Sequence, residues 1–373
     1  MSRAREFADL AGSADAGGIT GRNLIINGAF EVAQRATSKA HTESAITGYY
    51  TVDRFQLLSN AMDELRVTQT QSTTSPDGFS NSFGVEVTVA ESALASDEIL
   101  YIQYRAEAQD FQQLAYGTSS AKKVTLSFYV RSSLTGKYSV LLYQDDATRS
   151  NTPSFTINSA NTWERKTITF DGDTSGTINN DIGYGLLMNV VLAAGTDYAG
   201  TPHTGWGAYN QTDDFAHGDQ VNFAAQTGTF FITGIQLEVG SKATPFEHRS
   251  FADELARCQR YYVRDSATYS GGSSAYKFFA SGNCVSTTSG RFTYHFPVPM
   301  RTAPTLGQSA NSTFAVYSAA GSGAFSADAI INNPNDLSTG LTTTLASGQT
   351  AGQGAHIIAN NSTAAFLEFI AEL

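Results

Sequence analysis

From Phe231 to Val239 apolar and polar side chains alternate, which predicts a strand with one buried face. Gly240 and Ser241 end that strand, and Pro245, with no N–H to offer a ladder, forbids its continuation. A helix is predicted next. Ser250 is placed to cap its N-terminus, with Asp253 three residues on, where the helix dipole favours a carboxylate. Phe251, Leu255, Cys258 and Tyr262 then recur at spacings of four, three and four, on one face, while Asp253, Glu254, Arg257 and Arg260 fall elsewhere. A helix of about three turns is marginal alone, so this stripe must be covered by a domain or by copies of itself.

Upstream, short β-like runs bounded by Gly, Ser, Asp or Asn clusters occur over 65–70, 83–89, 99–104, 124–130, 138–143, 163–170, 184–192 and 230–237. Many short strands without intervening helices predict an antiparallel sandwich. A long irregular stretch over 193–225 contains Trp206, Tyr209, Asp213, Asp214 and His217, and a loop of that length is either functional or disordered. Downstream, Arg291 to Phe296 alternates and stops at Pro297; 313–317 and 355–359 are further strand candidates. Leu367, Phe369, Ala371 and Leu373 face one way and Glu368 and Glu372 the other, so this stretch belongs to a sheet. The predicted map is an arm or linker over 1–22, a large β domain over 23–248, a connecting helix over 249–264 and a smaller β-sandwich over 265–373. The arm could form two helical turns before a Gly-rich run that cannot bury a core.

Composition sharpens the class. Charged residues are only 15% of the chain, well below the usual quarter, and the abundance of Gly, Ser, Thr, Ala and Asn suits sheets joined by turns. A net charge of -11 argues against nucleic acid as the principal partner, since phosphate binding needs a basic footprint. No apolar run approaches a membrane span, and the first residues lack the basic-then-apolar pattern of a secretion signal; a soluble, non-exported protein is expected. Two cysteines make neither a disulfide framework nor a zinc site. Cys258 reads as a small buried hydrophobe, and whether it pairs with Cys284 is left open.

Gln236-Leu237-Glu238-Val239-Gly240, Thr244-Pro245-Phe246-Glu247 and Cys258-Gln259-Arg260-Tyr261-Tyr262 resemble the junction in a family of phage tail-fibre and related virion proteins. In that family a jelly roll like a carbohydrate-binding module ends in such a strand, and an acidic helix follows. Asn23 to Glu31 resembles the opening strand of the same modules, and Tyr50 to Phe55 fits their pattern. The resemblance implies a mostly β protein: N-terminal arm, jelly-roll β-sandwich, short connecting helix and smaller C-terminal β-sandwich. It implies a homotrimeric virion component of the tail, a fibre or tail-tip part assembled in the host cytoplasm, docked to other tail proteins through the arm and aiding host attachment. Phe251, Leu255, Cys258 and Tyr262 would then serve oligomer or domain packing. Carbohydrate-binding jelly rolls often hold a calcium ion near the first and last strands. Glu31 matches one position, but Thr233-Gly234 stands where those modules place Asp, so no metal and no cofactor is expected.

Glycosidic hydrolysis needs two carboxylates about 5–9.5 Å apart across the bond. Asp145-Asp146 and Asp213-Asp214 are adjacent in sequence, and neighbours on a strand point apart. The histidines show no metal spacing, and no nucleophile-elbow or phosphate-loop motif occurs. No enzyme is expected, and a polysaccharide depolymerase is the weakest reading. Glycan binding asks less: a ring to stack on a sugar and polar groups for its hydroxyls. Trp206, Tyr209 and Asp213, or Tyr143, Asp145 and Asp146, could supply it; equally, Trp206 could fold the long loop onto the core. A glycan-binding module with a specific host-surface receptor is therefore the alternative function.

Overall fold

The computed structural model describes residues 21–269, 272–273, 276–346 and 348–373. The arm expected over 1–22 thus lies almost wholly outside the described residues. The chain is mostly β and divides into two compact units, Met1–Glu254 with Leu373, and Leu255–Glu372.

The N-terminal unit has strands β1 (Ser38–His41), β2 (Phe55–Asn60), β3 (Arg66–Ser72), β4 (Ser82–Val89), β5 (Ile99–Glu107), β6 (Val124–Ser132), β7 (Gly136–Gln144) and β8 (Arg149–Asn151). They continue with β9 (Ser154–Ile157), β10 (Glu164–Phe170), β11 (Tyr184–Ala194), β12 (Ala199–Gly200), β13 (Gly207–Ala208), β14 (Ala216–His217) and β15 (Gly228–Val239). Two sheets result, ordered β1-β3-β4-β15-β6-β10 and β13-β8-β7-β11-β5-β2, with β9 beside β7. Their pairings are antiparallel, as a jelly-roll sandwich requires. Period-two alternation sends Val85, Phe128 and Ile232 from one sheet and Ile102, Val140 and Val190 from the other into a single core.

The opening segment is not the strand that the resemblance implied. Asn27 and Phe30 have φ of 61° and 56°, so the chain loops instead of extending. The Asn27 side chain holds the loop: Oδ1 accepts from Val32 N at 3.0 Å, and Nδ2 donates to the carbonyls of Val32 (2.8 Å) and Asp53 (2.9 Å). Ile25, Ala29 and Phe30 are still buried, which is why the segment reads as apolar. The run before Phe55 is likewise a turn, with Arg54 at φ 71°. The looped segment is fastened to β15, since Leu24 N donates to Leu237 O and Ile235 N to Gly28 O, both at 2.9 Å. Gly28 is needed there because a Cβ would stand 2.1 Å from Ile235 O.

The strand-to-helix junction follows the sequence closely. Gln236 Oε1 accepts from Glu247 N (2.8 Å), and Glu238 accepts from the Thr244 N–H (2.8 Å) and hydroxyl (2.7 Å). Glu247 in turn accepts from Asn23 N at 2.7 Å. The helix covers Phe251–Gln259, and its Asp253 N–H donates to Ser250 Oγ at 3.2 Å. It is shorter than the predicted stripe: Tyr262 already begins a strand, Cys258 and Tyr262 are buried, Leu255 is half-buried and Phe251 is 58% exposed.

The C-terminal unit holds β16 (Tyr262–Ser266), β17 (Thr268–Tyr269), β18 (Gly272–Ser273), β19 (Phe278–Cys284), β20 (Ser289–His295), β21 (Thr305–Gln308) and β22 (Phe314–Ser318). After these come β23 (Gly321–Asn332), β24 (Ser338–Leu345), β25 (Gly354–Ala359) and β26 (Phe366–Ile370). Its main sheet closes on itself in the order β19-β20-β24-β23-β22-β25, a closure that alternation alone does not reveal. A second sheet, β16-β26-β21, places Leu367 and Phe369 in the same core as Phe292, Phe314 and Ile357. Both cysteines are buried, and neither forms a disulfide.

Gly28→Ala is expected to lower the urea midpoint of the N-terminal unit by an amount equivalent to about 1–3 kcal/mol, the range for forcing atoms into packed space. An unchanged midpoint would mean that the loop does not press on β15.

Candidate functional site

The outer face of the second sheet carries the predicted residues and several more. Register places Tyr143, Leu187 and Arg105 in one row across β7, β11 and β5. The next row runs Leu141, Asn189, Gln103 and Gln56. The amides of that second row are buried and satisfy one another: Gln103 Nε2 donates to Asn189 Oδ1 at 3.0 Å, and Arg105 Nε donates to Gln103 Oε1 at 2.7 Å. Arg105 Nη1 donates to Leu373 O at 2.8 Å. The guanidinium also lies 5.4 Å from the ring centre of half-buried Tyr184. Asp145, two residues beyond Tyr143, is half-buried, and its pKa is raised by burial and by Asp146, against the pull of Arg105. Burial and Asp145 likewise raise the Tyr143 hydroxyl.

The remaining outer face is covered by the long stretch 195–225, which forms a strap. Phe215 and Ala216 pack with Ile99, Leu141 and Val191 in a separate apolar cluster. Tyr209 meets Tyr143 edge-on with ring centres 4.9 Å apart, which joins one member of each predicted site set. Trp206 serves the strap's attachment: its Nε1–H donates to Asp171 O at 2.7 Å and its ring lies edge-on to Tyr116 at 5.7 Å. Asp213 is exposed and accepts from Asn210 Nδ2 at 2.7 Å. Its neighbour Asp214 is buried, accepts from Asn210 N at 2.7 Å and pairs with His203 Nδ1 at 2.9 Å. Asp146 is exposed and held by Asn179, whose N–H and Nδ2 donate to it at 2.9 and 2.6 Å.

His203 Nε2 stands 3.5 Å from Ser150 Oγ, so Ser150, His203 and Asp214 have the order of a nucleophilic triad. Ser150 is fully buried, however, and Nε2 is nearer its carbonyl, at 3.3 Å. A hydroxyl without exposed surface has no path to a substrate, so the arrangement pins the strap to β8. Asp63, Glu91 and Glu98 also converge, with carboxylate oxygens within 4.8 Å of one another. Glu91 accepts from the N–H groups of Glu64 (3.0 Å) and Leu65 (3.2 Å) and Glu98 from Ala95 N (2.5 Å), so the two buried acids tie down loop backbone. Sequence reasoning missed this cluster although Asp63-Glu64 and Asp97-Glu98 are themselves adjacent acids. It also missed Tyr184, Arg105, Gln103 and Asn189. The outward residues of β5 alternate visibly with Leu100, Ile102 and Tyr104, but their alignment with β11 depends on register.

No protein-family model and no curated protein matches the chain. Solved structures similar to it include the enzymatically active domain of tailspike protein 4 of bacteriophage CBA120, at 11% identity and TM-score 0.31, covering 58% of this chain and 21% of that one. The family 11 carbohydrate-binding module of Clostridium thermocellum, in complex with a β-1,3-1,4-mixed-linked tetrasaccharide, is 13% identical with TM-score 0.29, covering 57% and 99%. The CBM22-1 xylan-binding domain of Paenibacillus barcinonensis Xyn10C is 10% identical with TM-score 0.28, covering 61% and 100%. All three are weak likenesses.

Asp214→Ala removes the acceptor for Asn210 N and His203 and is expected to cost about 1–3 kcal/mol. Limited proteolysis should then cut first within 195–225; cleavage elsewhere, or none, would show that the strap is held by its apolar cluster alone.

Proposed function

We propose that this chain is a phage tail component, a fibre or tail-tip part, that binds a host-surface glycan through the edge of the N-terminal sandwich where Tyr143, Tyr184, Asp145 and Arg105 meet. The observation that carries the glycan reading is this cluster of two half-buried rings with a guanidinium and a carboxylate beside them on one outer sheet face. Ring faces suit the apolar side of a sugar, and the charged groups suit its hydroxyls. Binding is favoured over cleavage because Asp146 is occupied by Asn179 and Asp214 by the strap, which leaves Asp145 without an opposed acid. The tail assignment rests on the junction residues shared with phage virion proteins. Assembly as a trimer comes from the same resemblance, and Phe251, 58% exposed on the connecting helix, is the residue on which to test it.

An array of bacterial surface polysaccharides is expected to retain the full chain, with Tyr184→Ala and Tyr143→Ala each weakening retention about tenfold. Release of reducing ends during the incubation would overturn the non-enzymatic reading. Light scattering should give a trimer that Phe251→Asp converts to a monomer; a monomeric wild type at micromolar concentration would remove the oligomer.

A further inference from the structure

The outer surface of the C-terminal barrel presents a second and chemically different site. Register aligns Tyr317, His356, Ser281, Thr293 and Gly340 in one outward row across β22, β25, β19, β20 and β24. A parallel row holds Gly354, Asn283, Arg291, Thr342 and Ile330. Between and beside these rows lies an open groove of about 600 Å³, lined by Asn283, Arg291, Thr293, Asn332, Gly340 and Thr342. Gly340 leaves the floor between Thr293 and Asn332 without a side chain. Nothing lies closer than 3.3 Å to where a Cβ would stand, so the gap is room rather than close packing. An adjoining hollow shares Thr293 with the groove and is lined by Phe278, a large ring 57% exposed, and His356 lies edge-on to that ring at 5.0 Å.

Charge identifies the ligand class. No Asp or Glu occurs between Asp265 and Asp328, although the chain as a whole carries 34 acids. Of the cations in this stretch, Lys277 is paired with Asp265 and Arg301 donates to the carbonyls of Ala371 and Glu372, both at 2.8 Å. Arg291 is exposed and makes no ion pair among the described residues. A guanidinium in an acid-free groove selects a planar anion that can take two parallel hydrogen bonds. The adjoining hydroxyls and amides and the bare ring of Phe278 match the two sides of a sugar.

We propose that this groove binds a carboxylate-bearing saccharide, with Arg291 on the carboxylate, Asn283, Thr293 and Thr342 on ring hydroxyls, and Phe278 as a stacking surface. The site is independent of the one on the N-terminal sandwich.

The test uses the full chain on immobilised polygalacturonate, polyglucuronate, alginate and polysialic acid, with methyl-esterified polygalacturonate and dextran as uncharged controls. Retention is expected on at least one acidic polymer and weaker retention on the uncharged ones. Arg291→Gln should reduce retention about tenfold, and so should Phe278→Ala, while thermal melts stay unchanged because both side chains are exposed. Tyr184→Ala should leave this retention intact. The proposal is overturned if no acidic polymer is retained, or if retention survives Arg291→Gln and falls with Tyr184→Ala, which would place the ligand on the N-terminal unit alone. It is equally overturned if the Phe278 change dissolves an oligomer in light scattering without altering retention, which would make this face a contact between copies.

Discussion

The N-terminal unit depends on how its first described residues are tied to its last strand. Asn23 sits at that knot: its Nδ2 donates to Ile235 O at 3.0 Å, and its Oδ1 accepts from Leu237 N at 3.1 Å and Ile25 N at 3.0 Å. Glu247 receives the Asn23 N–H from the other side, and Arg249 donates to the carbonyl of Asn23 and, at 3.1 Å, to that of Ile25. Burial pushes the Glu247 pKa up, but the backbone donors of Asn23 and Gly21, with Arg249 and Arg22, outweigh it and hold the carboxyl below its ordinary value. A half-buried carboxylate kept ionised by several donors loses more if one donor is removed than the set contributes in net terms. The sandwich is therefore closed by a polar clasp laid over an apolar core.

That clasp explains the junction motif residue by residue. Gln236 and Glu238 project from β15 to receive the chain as it turns at Thr244. Gly240 continues the ladder, its N–H donating to Lys123 O at 2.8 Å, and its carbonyl accepts from Thr125 Oγ1 at 2.8 Å. Phe246 packs on Phe79 with ring centres 5.1 Å apart. Each conspicuous residue of the motif has a closing task, so the motif specifies an architecture and is silent on ligands. The sites must come from elsewhere on the surface.

Local pattern made the strands legible because alternation over five or more residues leaves little choice of structure. Over 23–31 the resemblance implied a strand, but an apolar run such as Leu24-Ile25-Ile26 is also what a buried loop shows. Only the left-handed conformations at Asn27 and Phe30 separate the two, and Phe at such a position has no propensity signal. The helix was legible at its capped start and not at its end, because Tyr262 fits the helical spacing and a strand equally well; pairing with Ile370 on β26 decides for the strand. The site was the least legible part. Tyr143 and Asp145 were visible as neighbours, whereas Arg105 and Tyr184 reach them through register across strands far apart in sequence.

The strap shows how one sheet face came to serve two purposes. Ile99, Leu141 and Val191 would be an exposed apolar patch on the outer face if nothing covered them, and a sheet of that kind invites association. Phe215, Ala216 and the rings of Tyr198 and Tyr209 remove that patch from water. The cost is that the centre of the sheet becomes inaccessible, which leaves the margin beyond the strap, where Tyr184 and Arg105 lie, as the place for the proposed site. In the C-terminal unit no such cover is required, since closing the sheet into a barrel turns its apolar face inward by geometry alone. Its outward residues are thereby free to be chosen for what they contact, and the run without acids from Asp265 to Asp328 is a bias on the surface that core packing does not demand.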